Sequence, residues 1–341
     1  REMTMLHRET DQDKIDRNLE QIFKLHKSSI DYMEDYTGIK FPFKKFAFVL
    51  IPSFQFGGME HVGAIQYKAS SIMLDENPAT TDLLGRAALI GHETAHMWFG
   101  DLVTMDWFND VWTKEVFANF MSAKLVNPSF PTINHSLRTH LRLHPGAYAV
   151  DRSEGPNPIR QQLDNLNQAG SLYGAIIYNK APIMMQQLEK MLGQDNFRDG
   201  LRQYLKTYAH SSATWPQLIE ILDKRSEQDL KKWSDVWVNS AGRPIFKLEK
   251  NGSIMTLSQS DPSHQGRNWP QTFKIRNGEK AYEVTIGEEP IDLEISTKAP
   301  LLINADGAGY GLFPIENNLL REKWDLLTDL ERASAFISLY E

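Results

Sequence analysis

The 341-residue sequence contains no cysteine. This absence excludes disulfide bonds and thiolate metal sites, so any bound metal must be held by histidine and carboxylate side chains. It does not define the compartment, because exported proteins can also lack cysteine.

Long apolar runs and basic runs are also missing. No stretch of about 20 uninterrupted apolar residues occurs, so the sequence predicts no membrane-spanning segment. The formal net charge is −7, which argues against nucleic acid as a partner because such binding requires a positive face. Apolar residues make up 41% and charged residues 24% of the chain, and this balance is typical of a folded globular protein and not of a disordered one.

The length predicts two or three domains. The sequence begins at Arg1 and ends inside a helical pattern, so we expect it to be a piece of a longer protein. An amphipathic pattern predicts a helix over residues 13–37, with Gly38 as its stop. The apolar run at 46–51 predicts a buried strand, and residues 62–74 predict further strand.

The middle of the chain is mainly helical in pattern. A helix is predicted to begin at Thr80 or Thr81, with Asp82 in its first turn, and to run to about Phe99. A second helix is predicted over 110–126, before Pro128. Residues 127–168 are rich in Pro, Asn and Gly, which predicts long loops with one short helix. Further helices are predicted over 169–192, 195–209, 214–226 and 228–239.

The pattern changes after Gly242 and Pro244. Short alternating runs then predict a small β domain. They are separated by the turn dipeptides Asn251-Gly252, Asn277-Gly278 and Asp306-Gly307. From about residue 316 the pattern is helical again, with Leu320, Trp324 and Leu327. The sequence as a whole predicts an α+β fold.

Residues 91–96, GHETAH, contain two histidines four positions apart. On a helix His92 and His96 lie on the same face, one turn from each other, so both imidazoles can bind one zinc ion. Glu93 lies beside them, where its carboxylate can activate water for attack. These residue types at this spacing indicate a zinc peptidase site.

A catalytic zinc needs a third protein ligand and an open position. Metzincins would have glycine at 99 and histidine at 102, but this sequence has Phe99 and Leu102, so that class is excluded. A glutamate on the next helix is the other solution. Glu115 follows His96 with 18 residues between them, a gap that suits a turn and a returning helix.

The alternative interpretation is that these histidines are ordinary helix residues and Glu115 a surface charge. The bare HExxH motif leaves this open, and the glutamate at a suitable spacing favours the metal site. Two other clusters of residues do not indicate a metal site or a catalytic role. His135, His140 and His144 are interpreted as a solvated or loop cluster, and Trp233 and Trp237 as core or a domain seam.

At this point the sequence resembles the gluzincin aminopeptidases typified by aminopeptidase N. The HExxH motif followed by a glutamate after 18 residues is one of that family's features. Residues 57–60, GGME, resemble its Gly-x-Met-Glu-Asn exopeptidase motif. Residues 98–105, WFGDLVTM, are similar to the stretch usual after the second histidine. Residues 178–181, YNKA, resemble its Tyr-x-Lys-Gly-Ala segment.

The resemblance implies roles for residues that the chemistry alone does not assign. Glu60 would bind the free α-amine of a peptide, with Gly57, Gly58 and Met59 along the substrate. Tyr178 would stabilise the oxyanion, and zinc would be the cofactor.

The resemblance also implies three domains. Residues 1–242 would form a thermolysin-like catalytic domain with a small sheet, 243–315 a β-sandwich, and 316–341 the start of a C-terminal helical domain. The family's N-terminal β domain is absent, so it would be a missing partner of this chain.

Three positions depart from the family pattern. His61 stands where the family usually has Asn, Ala181 follows the tyrosine motif instead of Gly, and Asp106 stands where larger or basic residues are more common. These departures affect the expected substrate preference more than the reaction.

The leading hypothesis is an exopeptidase that releases N-terminal amino acids. A zinc endopeptidase is the first alternative, and it would have no use for an amine anchor at Glu60. A non-catalytic peptide-binding relative is the second, and hydrolysis of a non-peptide substrate is the third.

Overall fold

The computed structural model describes residues 2–251, 254–296, 299–315, 319 and 324–341. The described chain mixes helices with several small sheets, as an α+β fold should. The α-helices are α1 (Gln12–Thr37), α2 (Ala69–Ile72), α3 (Thr80–Ala95), α4 (Val111–Val126), α5 (His135–Asp151), α6 (Ala181–Leu192), α7 (Gln194–Thr207), α8 (Trp215–Asp223), α9 (Leu230–Trp237) and α10 (Asp329–Tyr340). The strands are β1 (Thr4–Leu6), β2 (Ala47–Ile51), β3 (Gly58–Met59), β4 (Ile65–Lys68), β5 (Val103–Met105), β6 (Ser211–Ala213), β7 (Ile245–Asn251), β8 (Ile254–Ser260), β9 (Gln271–Asn277), β10 (Lys280–Ile286), β11 (Ile291–Leu293) and β12 (Leu301–Leu302).

The chain divides into two compact units. The first unit contains the chain up to Thr132 together with Arg198–Ile221, and the second contains Ile133–Phe197 together with the chain from Leu222 onward. The predicted domain boundaries after residues 242 and 315 follow changes in sequence pattern, and they stay a prediction.

The first unit contains a four-stranded sheet with the order β1-β2-β4-β3. Strands β1, β2 and β4 are parallel, and β3 pairs antiparallel with β4 at the edge. The prediction of strand over the whole of 62–74 is wrong, because only Ile65–Lys68 is extended and α2 follows directly. Alanine and serine at 69–71 are weak strand formers, which allows the chain to turn there.

Helix α1 forms where the amphipathic pattern predicted it. Asp11 caps its first turn by accepting a hydrogen bond from the Lys14 backbone N–H at 3.1 Å. Gly38 ends the helix in the left-handed conformation (φ 68°) and donates its N–H to the Glu34 carbonyl. The buried face includes Ile22, which is fully buried.

Helices α3 and α4 pack against each other in the first unit. The Asp82 carboxylate accepts a hydrogen bond from the Ala79 backbone N–H at 3.0 Å at the start of α3. The Ser122 hydroxyl of α4 donates to the Ala88 carbonyl of α3 at 2.7 Å, which fixes the two helices side by side. Helix α3 ends at Ala95 instead of Phe99, and His96 forms its C-cap.

The second unit contains a helix that is longer than the sequence pattern predicted. Helix α5 has 17 residues and includes Pro145, whereas residues 127–168 were expected to be loops with one short helix. Its buried face includes His140, Leu143, His144 and Ala147, which repeat at helical spacing. The interpretation of His140 and His144 as solvated is wrong, because only 3% and 2% of these residues are exposed.

The strands of the second unit form two three-stranded sheets, β10-β9-β12 and β11-β8-β7. Their pairings are antiparallel, and both sheets contribute to one apolar cluster. The β9–β10 hairpin turns at Asn277-Gly278, as predicted. Gly252, in the predicted Asn251-Gly252 turn, lies outside the described residues, and so do Leu320 and most of the helical pattern predicted from 316.

Two further points complete the fold. Trp233 and Trp237 are buried in the second unit, consistent with a core role. Among the described residues, no helix is both long and apolar enough to cross a bilayer.

Candidate metal centre

The two histidines of the HExxH motif converge at the end of α3. The Nε2 atoms of His92 and His96 lie 3.1 Å apart. His96 is almost completely buried, whereas the His92 side chain retains 17% of its exposure. Both imidazoles therefore offer a ring nitrogen to one common point, as the four-residue spacing predicted.

Helix α4 brings Glu115 to the same point. Its Oε2 atom lies 3.6 Å from His92 Nε2, and the donor atoms of His92, His96 and Glu115 lie within 4.8 Å of one another. Zinc bonds of about 2.0–2.2 Å in tetrahedral geometry place ligand atoms roughly 3.3 Å apart. The observed separations of 3.1 and 3.6 Å fall on either side of that value, so the three side chains fit zinc.

The turn after α3 orients His96. Because the helix ends at Ala95, the Phe99 carbonyl comes within 3.0 Å of His96 Nδ1 and accepts its hydrogen. This bond leaves Nε2 without a proton, which is the state that binds a metal. Burial first, and then the charge of His92, lower the pKa of His96 to about 4, which also favours the neutral ring.

Glu93 lies beside these ligands and is only 3% exposed. Burial, opposed by His92 and reinforced by the charges of Glu60 and Glu115, raises the pKa of Glu93 to about 8 in the absence of a metal. Its Oε2 atom is buried and has no hydrogen-bond partner among the described residues. A carboxylate with an unused acceptor at a metal site is suited to proton transfer.

The edge strand β3 runs close to Glu93. A Cβ atom at Gly58 would lie 2.2 Å from Glu93 Oε1, so any larger residue there would displace the Glu93 side chain. Gly57 does not share this constraint, because its Cβ would lie 3.5 Å from the Leu89 side chain, an ordinary contact. Met59 pairs with Gln66 of β4 and leads directly to Glu60.

Glu60 joins the ligand cluster from the end of β3. The donor atoms of Glu60, Glu93 and His96 lie within 4.8 Å of one another. Burial alone would raise the pKa of Glu60, but the charges of His96 and Lys114 outweigh it and lower the pKa to about 2. Glu60 is therefore a carboxylate held ionised next to the metal ligands.

Two residues of the cluster were not predicted from the sequence. Lys114 extends its ammonium to Glu60 Oε1 at 2.5 Å and to Glu115 Oε1 at 3.6 Å. Burial and the charge of Glu60 raise the pKa of Asp101 to about 7. Lys114 directly precedes Glu115, and Asp101 lies in the 98–105 stretch. Proximity in sequence to these motifs was the only signal that could have identified the two residues as part of the site.

Tyr178 belongs to the second unit and is 39% exposed. It lies on a π-helical turn, Ile176–Lys180, a distortion often found at functional sites. Lys180 anchors this turn, because its fully buried ammonium contacts Asp151 Oδ2 at 2.8 Å and the Gly242 carbonyl at 2.7 Å. The assignment of Tyr178 as an oxyanion donor stays a prediction.

Two helical histidines, a glutamate from the following helix and an adjacent carboxylate are the features of a mononuclear metallopeptidase centre. Comparison with known families agrees with this class. The family model described as "Peptidase family M1 domain" matches residues 22–237, more than half of the chain. The chain therefore belongs to peptidase family M1.

Several similar curated proteins bear aminopeptidase names. The chain is 31% identical over 317 residues to probable aminopeptidase 2 of Sulfurisphaera tokodaii, covering 89% of the chain and 40% of that protein. It is 32% identical over 273 residues to puromycin-sensitive aminopeptidase of Caenorhabditis elegans, covering 78% and 28%. It is 29% identical over 248 residues to aminopeptidase N of Lactococcus lactis, covering 70% and 29%. The chain thus spans less than half of each relative.

Proposed function

We propose that this chain is the catalytic part of a zinc aminopeptidase that removes N-terminal residues from peptides. The observation that carries this proposal is the position of Glu60, whose carboxylate lies in the same cluster as Glu93 and His96. A metal centre with an amine-binding carboxylate beside it suits cleavage next to a free N-terminus. The aminopeptidase names of the relatives support the same activity.

His92, His96 and Glu115 would hold the zinc ion. When bound, zinc supplies a Lewis acid that polarises the scissile carbonyl and makes water acidic enough to be deprotonated near neutral pH. Glu93 would accept the proton of the attacking water and donate it to the leaving amine. The close approach of Gly58 confines this carboxylate, and within the described part of the chain its Oε2 atom has no hydrogen-bond partner and remains available to accept a proton.

Glu60 would bind the α-ammonium of the substrate through a charge-assisted hydrogen bond. The edge strand β3 would supply backbone groups to an extended peptide, with Gly57, Gly58 and Met59 alongside it. Fixing the free amine at Glu60 sets the distance from the N-terminus to the scissile bond. This distance selects the first peptide bond and distinguishes an exopeptidase from an endopeptidase.

Tyr178 is proposed as the donor that stabilises the oxyanion formed by attack of water. A phenol can donate one hydrogen bond to such an oxygen. Its support is the match of residues 178–181 to the family's tyrosine segment and the anchoring of the turn by Lys180 and Asp151. The predicted domain order, catalytic to residue 242 and β-sandwich over 243–315, belongs to the same proposal.

The test is a panel of aminoacyl fluorogenic amides, each with a free and with an acetylated amine, assayed on the intact protein with and without a chelator. The proposal predicts that free amines are cleaved much faster than acetylated ones and that the chelator abolishes both reactions. Equal rates on both forms would favour the endopeptidase alternative. Zinc binding with no cleavage of any substrate would favour a non-catalytic peptide-binding protein.

A further inference from the structure

Lys114 contacts Glu60, the residue proposed above to bind the substrate amine. Its ammonium lies 2.5 Å from Glu60 Oε1, and both side chains are largely buried, with 17% and 13% of their area exposed. A lysine ammonium and a peptide α-ammonium are the same kind of ligand for a carboxylate, a compact cation with three N–H donors. The amine anchor therefore already holds a cation of the protein's own.

The second contact of Lys114 gives it another acceptor. Glu115 directs Oε2 to His92 at 3.6 Å and Oε1 to Lys114 at 3.6 Å. If an incoming amine takes Glu60, the lysine ammonium still has a carboxylate oxygen of Glu115 nearby. Release of Glu60 therefore does not leave the buried Lys114 charge without a counter-charge, which keeps the cost of the exchange low.

We propose that Lys114 is a specificity-determining residue that competes with the substrate's α-ammonium for Glu60. This inference rests on the proposed aminopeptidase function. When a binding site is free for only a fraction of the time, the apparent affinity of its ligand is reduced to that fraction of the intrinsic affinity. Lys114 thus weakens the binding of every free amine, and only substrates with enough additional contacts along the cleft would displace it. Because the same factor applies to every free amine, the competition narrows the preference for free over acetylated N-termini and raises the concentration at which free amino acids and small amines occupy the site.

The test compares Lys114→Met with Lys114→Arg in the intact protein. Lys114→Met removes the competing cation and keeps the aliphatic stem, so KM for free-amine substrates should fall, roughly tenfold if Glu60 is otherwise free about a tenth of the time. Lys114→Arg retains a cation and should leave KM within about twofold of the original value. KM for acetylated substrates should not fall in either variant, because they have no ammonium to bind.

A binding measurement separates this effect from the chemical step. Leucine amide, titrated into the zinc-free protein by calorimetry, should bind more tightly to Lys114→Met than to the unaltered protein. An unchanged or higher KM together with unchanged or weaker leucine amide binding in Lys114→Met would overturn the proposal and show that Lys114 supports Glu60. If the unaltered protein cleaves free and acetylated substrates equally, it is the proposed function that fails.

Discussion

The protein contains two pairs of buried or partly buried histidines with the same helical spacing, His92 and His96 on α3 and His140 and His144 on α5. In each pair two ring nitrogens approach closely, Nε2 to Nε2 at 3.1 Å in the first and Nδ1 to Nδ1 at 3.0 Å in the second. The spacing alone therefore does not distinguish them.

Their surroundings differ in charge. The first pair has Glu93 directly after its first histidine and Glu115 across from it, whereas Leu141 follows His140. The second pair belongs to no group of three candidate metal-binding side chains among the described residues. His144 Nε2 instead lies 3.2 Å from the Gly309 carbonyl. Converging carboxylates make the first pair a candidate metal site, whereas the second pair is buried among the core residues of its unit.

The largest expected effect comes from Glu93, the glutamate that directly follows the first histidine of the His92–His96 pair. Glu93→Gln should lower turnover roughly 10²–10⁴-fold, because the proton carrier is lost while the ligands remain. Steady-state kinetics on a free aminoacyl amide measures the loss, and metal analysis should show full zinc content. A variant that retains turnover would exclude Glu93 as the base.

Helix α5, which carries the second pair, also holds the turn with Tyr178 through Asp151 and Lys180. Tyr178→Phe should lower turnover roughly 10²–10³-fold with little change in KM, as expected for a transition-state donor. Tyr173→Phe is the matched control, because Tyr173 is equally exposed and its ring centroid lies 6.4 Å from that of Tyr178. Equal effects in both variants would contradict a specific role for Tyr178.

Removal of Glu115, the proposed third metal ligand, should make the His92–His96 pair resemble the His140–His144 pair in its weak affinity for a metal. Glu115→Ala should weaken zinc binding by at least about 100-fold, since even loss of an outer-shell partner costs 10–100-fold. Competition with a chelator of known affinity measures this change. His144→Gln, which alters the second pair, should leave zinc affinity unchanged, and a matching loss there would mean that both pairs contribute to one site.

The second pair, His140 and His144, should make the stability of the fold depend on pH in the acidic range. Burial lowers the pKa of His140 to about 4, below its ordinary value of 6.5. The unfolded chain therefore binds more protons between these values, and stability should fall as pH decreases from about 6.5 to 4. With about 1.36 kcal/mol per pKa unit, the stability lost through His140 over this range is about 3 kcal/mol.

Denaturant unfolding of the zinc-free protein at several pH values in this range measures the effect without interference from metal release. His140→Gln should flatten the dependence. His135→Gln, which replaces a half-buried histidine on the same helix, is the control for the loss of a histidine from α5. Identical pH profiles for His140→Gln and the unaltered protein would show that His140 does not contribute.

The metal ligands could be predicted from the sequence because they depend on local geometry. Positions four apart on a helix share a face whatever the rest of the fold does, so His92 and His96 followed from spacing. Glu115 required only that a second helix begin near 110, and α4 begins at Val111. Glu93 followed from its position within the HExxH motif, whereas Glu60 was assigned only through the resemblance of residues 57–60 to the exopeptidase motif.

The rest of the site depends on contacts that sequence patterns do not encode. Lys114 reaches Glu60 across 54 positions of the chain, and no local rule indicates that pairing. The length of helix α5 was underestimated because residues 127–168 are rich in Pro, Asn and Gly and because two of its buried residues are histidines. A pattern method counts His140 and His144 as polar, although the structure buries both.

The early end of α3 has an electrostatic consequence. Since His92 lies in the last turn of the helix and His96 is its C-cap, the ligands sit at the negative end of the helix macrodipole. The carbonyl end of a helix favours a nearby cation by about 0.3–1 kcal/mol. A metal bound there would in turn stabilise the helix end, so that the backbone itself contributes to the affinity of the site.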